Sequence, residues 1–100
     1  MLFRSNHSDE GLETDPLAET QISQGITTLL IGQDGGSAWP LGEYLDRRRA
    51  SAPALNVATC VGHATVRKEV MGEDYKRPAT PAEITRMEAL VEREIGRAHV

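Results

Sequence analysis

Two short apolar stretches joined by a proline-started helical pattern constrain this chain more than anything else in it. ITTLLI, Ile26–Ile31, is apolar or β-branched throughout, and LNVATCV at residues 55–61 has the same character. Continuous runs of this length, without the alternation of a half-wet strand, read as strands covered on both faces. Between them Pro40 opens a helical pattern with Leu41, Tyr44, Leu45 and Arg48 on one face, ending before Pro53. Strand, crossover helix and strand make a βαβ unit, whose strands run parallel. The predicted class is therefore α/β. Two parallel strands leave both faces and both edges open, so the chain reads as a slice of a larger α/β fold.

The flanking segments fit the same frame. Residues 6–14 are polar and acidic and read as an extended lead-in, after which Asp15 and Pro16 offer an N-cap and a first helical residue for a short helix closed by Gly25. Residues 62–71 read as a turn leading into a short helix, and 72–79 as a polar loop. TPAE at residues 80–83 joins an N-cap threonine, an N1 proline and a capping-box glutamate, opening a helix with Ile84, Met87, Leu90 and Val91 on one face.

Composition excludes several classes. A net charge of −4 with scattered basic residues, apart from Arg47, Arg48 and Arg49, gives no footprint for nucleic acid. Those three arginines read as the solvated edge of a helix. No apolar run approaches the roughly 18 residues that would span a bilayer. The single cysteine, Cys60, cannot form an internal disulfide and gives no ground for an oxidising compartment, so the cytoplasm is favoured. In a strand rich in valine and alanine, Cys60 reads as a small core residue. Oligomeric state is left open.

The two ends share an unusual property. MLFRS can be written as GTGCTCTTCCGATCT, and the reverse complement of that string lies within one spelling of EIGRAHV, one base in. One DNA segment read on opposite strands can thus encode both termini, and it resembles sequencing adapter. Residues 1–5 and 94–100 are therefore expected to be non-native scars. The natural segment would then be 6–93, with the native N-terminus missing.

In parallel α/β folds, working residues sit on loops leaving the carboxyl ends of strands. One such loop, GQDGGS, carries Asp34 among glycines; the other, in CVGHATVR, carries His63. Asp-Gly and Gly-Gly pairs are turn formers first, but the strand-end position makes Asp34 a candidate ligand as well. His7 and Asp9 lie two apart, on one face if that segment is extended. A Gly-rich turn before a helix also suggests a small-anion cradle, although no complete phosphate-binding fingerprint is present. A non-catalytic α/β module binding a small anion there is the alternative reading.

Taken in order, HSDEGLETDPLAETQISQGITTLLIGQDGGS, LNVATCVGHATVRKEVMG and YKRPATPAEITRMEALV resemble the N-acyl-D-amino-acid deacylase (D-aminoacylase) branch of the metal-dependent amidohydrolases. The GITT strand, the GHxxxR turn and the RPATxxE helix start carry the resemblance. It implies a TIM-type (β/α) barrel of which this chain supplies an early part, since a whole barrel takes about 250 residues. It also implies hydrolysis of the amide of an N-acylated D-amino acid with a divalent metal, zinc in most members. His7 matches the second histidine of the family's His-x-His metal motif, and the first would fall at Ser5. Asp34 stands where the family keeps a metal-bridging cysteine, a harder donor that would change metal preference. His63 and Arg67 match the GHxxxR turn and are expected to shape the site. The remaining ligands and the general base belong to later strands, so the chain alone is expected to be inactive.

Overall fold

The computed structural model describes residues 2–5 and 11–97. Three parallel strands form one sheet in the order β1 (Leu2–Ser5), β2 (Ile26–Ile31), β3 (Asn56–Thr59). Thr28 to Ile31 pair in step with Asn56 to Thr59, and Cys60 N–H extends the ladder to the Ile31 carbonyl at 3.0 Å. The expected βαβ unit is therefore present, with α3 (Leu41–Ser51) as the crossover between β2 and β3. A closed barrel is not present in these three strands.

Several local expectations shift for physical reasons. Residues 2–5 carry no run that announces a strand; they become one by pairing with β2, with the register slipping between Leu2 and Phe3. The lead-in expected over 6–14 falls partly outside the described residues, but Gly11–Thr14 forms a helical turn, α1, anchored by buried Leu12. Asp15 and Pro16 do not start the next helix. Their segment is a turn, because the Pro16 carbonyl accepts the Ala54 N–H at 2.9 Å, and α2 begins only at Glu19, after Ala18 in a left-handed conformation (φ 47°). Gly25 does end α2, at φ +78°, a conformation glycine adopts freely. Pro40 lies one residue earlier than expected, at the extended N-cap of α3, where its carbonyl accepts the Tyr44 N–H. The second strand is shorter than 55–61, ending at Thr59.

The core lies where α1, α2 and α3 cover the sheet. Leu12, Ala18, Ile26, Leu29, Ile31, Tyr44 and Leu55 pack as one buried cluster. Coverage is incomplete: Thr27, Asn56 and Ala58 are exposed, so neither strand is sealed on both faces as its apolar sequence suggests. Cys60 is correspondingly half-buried rather than in the core.

The arginine triplet divides. Arg47 and Arg49 are exposed, but Arg48 is buried at 7% exposure, which corrects the solvated-edge reading for that residue. Arg48 lies seven residues after Leu41 and four after Tyr44, hence on the face of α3 that turns inward. Its guanidinium carbon stands 5.3 Å above the Tyr44 ring centroid, and Nη2 donates to Glu13 Oε1 at 3.2 Å.

Beyond β3, α4 (His63–Met71) and a single 3₁₀ turn, Gly72–Asp74, lead to α5 (Pro81–Arg97). The capping box at the start of α5 forms as its sequence predicts. Thr80 N–H donates to Glu83 Oε2 at 2.9 Å, and Glu83 N–H returns to Thr80 Oγ1 at 3.3 Å. Arg77 adds a two-pronged ion pair to the same carboxylate, at 2.9 and 2.6 Å. Chiefly through that hydrogen bond, the Glu83 carboxyl is held far below the usual carboxylate range and the Arg77 guanidinium is raised. No helix among the described residues is long and apolar enough to cross a membrane.

Candidate functional site

The carboxyl ends of β2 and β3 lie side by side because the strands are parallel and in step, so the two loops leaving them must meet. They are knitted together by short polar contacts. Gly35 C=O accepts the N–H groups of Ala64 and Thr65, at 2.8 and 3.3 Å. Gly62 N–H donates to Ser37 Oγ at 2.9 Å, and Ser37 N–H donates to Thr65 Oγ1 at 3.0 Å. The loops touch so closely that a Cβ on Gly62 would lie 2.6 Å from Ser37 N and 2.7 Å from Gly35 O. Gly32, in a left-handed conformation, is similarly tight, with a Cβ falling 3.0 Å from the Cys60 carbonyl. Close approach is therefore required at Gly32, before Asp34, and at Gly62 in the facing loop, whereas Gly35, at φ +86°, serves the turn.

Asp34 sits in this knot, exposed, at the carboxyl end of the sheet. His63 is the first residue of α4 and is also exposed, so the knot ties the Asp34 loop directly to the helix that carries His63. Arg67, one turn further along α4, is occupied with backbone: Nε and Nη2 donate to Tyr75 C=O at 3.2 and 2.8 Å, and Nη2 also reaches Arg77 C=O at 2.8 Å. The guanidinium therefore orders the connection into α5. His63 and Arg67 both line a groove of 620 Å³ between α4 and α5, with Val61, Val66, Met87 and Val91 among its walls. His7 lies outside the described residues.

The donor chemistry fits a metal only in part. Asp34 brings a carboxylate to the strand ends, but no three histidine, cysteine, aspartate or glutamate side chains come together to hold a metal among the described residues. The helix starts that an anion would use have acceptors of their own. Those of α4 face Gly35 and Ser37, and the first N–H of α3, on Leu41, donates to Glu94 Oε2 at 2.9 Å. Glu94 is completely buried and pairs through Oε1 with Arg93 Nε at 2.9 Å. An incoming anion would compete with this chain's own carboxylate. Nothing local in the sequence marks the Ser37–Thr65 link, 28 residues apart, or the Glu94–Leu41 link, 53 apart. Only Gly62, in the GHxxxR turn, carried a signal.

The architecture and the strand-end site define a parallel β/α segment with its polar loops gathered at one end, the arrangement on which α/β enzymes build active sites. The sequence is similar to that of D-aminoacylase from Alcaligenes xylosoxydans xylosoxydans, 37% identical over 72% of this chain and 19% of that protein. It is also similar to N-acyl-D-aspartate deacylase from the same organism, 35% identical over 86% of this chain and 22% of that protein. The resemblance to the N-acyl-D-amino-acid deacylases, first carried by short motifs, thus extends over most of the chain. The chain spans about a fifth of the length of these curated relatives. No family model matches it, and no solved structure is significantly similar.

Proposed function

We propose that this chain is part of a hydrolase that cleaves the amide bond of N-acyl-D-amino acids, its strands belonging to a TIM-type barrel completed by the rest of the parent protein. The observation that carries the reading is the joining of the Asp34 loop to the start of α4 at the carboxyl ends of adjacent parallel strands, in a chain similar to two deacylases. In this reading Asp34 and His7 are ligands of a divalent metal, zinc, and further donors come from outside the described residues. Such a metal polarises an amide carbonyl and activates water.

The chain's own residues supply position. Gly62 and Ser37 fix where the Asp34 loop rests, and Arg67 fixes the connection that carries α5 past His63. The rigid loop pair would hold the carboxylate at one place relative to the sheet, which is what a preorganised site requires.

The test uses the full-length parent. Hydrolysis of N-acetyl-D-amino acids in preference to the L-enantiomers is expected, with zinc in the purified protein. Asp34→Ala should lower kcat/KM by about 100-fold or more and reduce bound metal. A parent that hydrolyses neither enantiomer would sink the deacylase reading, and unchanged metal content in Asp34→Ala would sink the ligand assignment alone.

A further inference from the structure

Asp34 is followed directly by Gly35 and Gly36, residues with the widest backbone freedom, so local preference does not fix where its carboxylate rests. Gly35 takes φ +86°, and a Cβ on Gly36 would meet nothing within 4 Å. Contacts with the facing loop and α4 must hold the segment instead. Gly35 C=O accepts the N–H groups of Ala64 and Thr65, and Ser37 Oγ accepts that of Gly62. The remaining hold is one side chain of α4. Thr65 Oγ1 accepts the Ser37 N–H at 3.0 Å and donates to the Ser37 C=O at 3.3 Å. A single hydroxyl thus engages both backbone groups of one residue. Thr65 is half-buried in the first turn of α4, two residues after His63, and Ser37 lies three residues after Asp34.

We propose that Thr65 is a positioning residue for Asp34: acting through the Ser37 backbone, it keeps the diglycine from swinging and holds the carboxylate in one place at the strand ends. The inference rests on the reading of Asp34 as part of the parent's active site. The Ser37 side chain cannot supply the same hold, because its hydroxyl is already the acceptor for Gly62. Without the Thr65 hydroxyl the Ser37 N–H loses its acceptor, and only the Gly35 and Gly62 contacts remain to set the loop. Hydrogen-bonding groups one step behind a working ligand are typically worth about 10- to 100-fold in affinity or activity.

Thr65→Val keeps the β-branched shape and removes the hydroxyl, and Thr65→Ser keeps the hydroxyl. In the 100-residue chain, amide exchange at Ser37 should quicken about tenfold in Thr65→Val and stay within about threefold of the unchanged chain in Thr65→Ser. In the full-length parent, at a temperature where circular dichroism shows every variant folded, Thr65→Val should lower kcat on an N-acetyl-D-amino acid about 10- to 100-fold with KM changed less than about threefold. Thr65→Ser should recover most of that loss. Glu83→Gln, which weakens the cap of α5 instead, should leave kcat unchanged. Unaltered Ser37 exchange in Thr65→Val, unaltered kcat in Thr65→Val where Asp34→Ala loses activity, or an equal loss of kcat in Glu83→Gln would overturn the proposal and leave the Asp34 reading standing. A parent carrying Asp34→Ala that is as active as the original would overturn both together.

Discussion

Gly62→Ala isolates the contact on which the strand-end site depends. The backbone of Gly62 has φ −72° and ψ 116°, which alanine adopts freely, so any penalty comes from space alone. The added Cβ would meet Ser37 N at 2.6 Å, Gly35 O at 2.7 Å and Gly36 C at 2.7 Å. All three are backbone atoms, so no side chain can swing aside. Overpacking of this kind costs about 1–3 kcal/mol. Pushing the loops apart also loosens the Gly62–Ser37 hydrogen bond, at about 1 kcal/mol, for a total of about 2–4 kcal/mol. Gly36→Ala is the control, since nothing lies within 4 Å of a Cβ there and its φ is not positive. Urea unfolding of both variants, followed by circular dichroism, reads the difference directly. If Gly62→Ala cost no more than Gly36→Ala, the two loops would not be in contact as described, and the argument that the knot positions Asp34 would fail with it.

Two further outcomes follow from buried carboxylates. Glu94→Ala removes the acceptor of the Leu41 N–H and should destabilise by about 1–3 kcal/mol in urea unfolding, whereas Glu94→Gln keeps an acceptor and should recover part of it; equal losses would show that the cap is not what Glu94 provides. Because folding lowers the Glu83 carboxyl below its ordinary pKa of about 4.5, the stabilisation it gives is complete above that value and fades as pH falls through the lower folded one. Acid titration of stability should therefore lose a component in Glu83→Gln below about pH 4.5, and identical titrations in the two proteins would contradict the Arg77–Glu83 coupling.

What could be read in advance was the local chemistry. TPAE makes its capping box because Thr80 and Glu83 are three residues apart and need no distant partner. ITTLLI became β2 with the expected bounds, since an apolar β-branched run of that length favours a strand in most surroundings. The same locality is why Asp15–Pro16 misled: the pair suits a helix start, but the demand of Ala54 for the Pro16 carbonyl turned it into a turn. Arg48 reads two ways in the sequence, as one of three surface arginines and, by helical phase, on the face of Leu41 and Tyr44, and its burial follows the second.

The sequence by itself determined the class of element at most positions and the parallel pairing of β2 with β3, because helix phase, caps and strand character depend on neighbours a few residues away. Only the tertiary structure decided that Gly62 lies on Gly35 and Ser37, that Glu94 caps α3, and that Arg48 is left with unpaired N–H groups. These depend on distances between residues 25 to 53 positions apart, or on the enclosure of a side chain, and no local pattern encodes either.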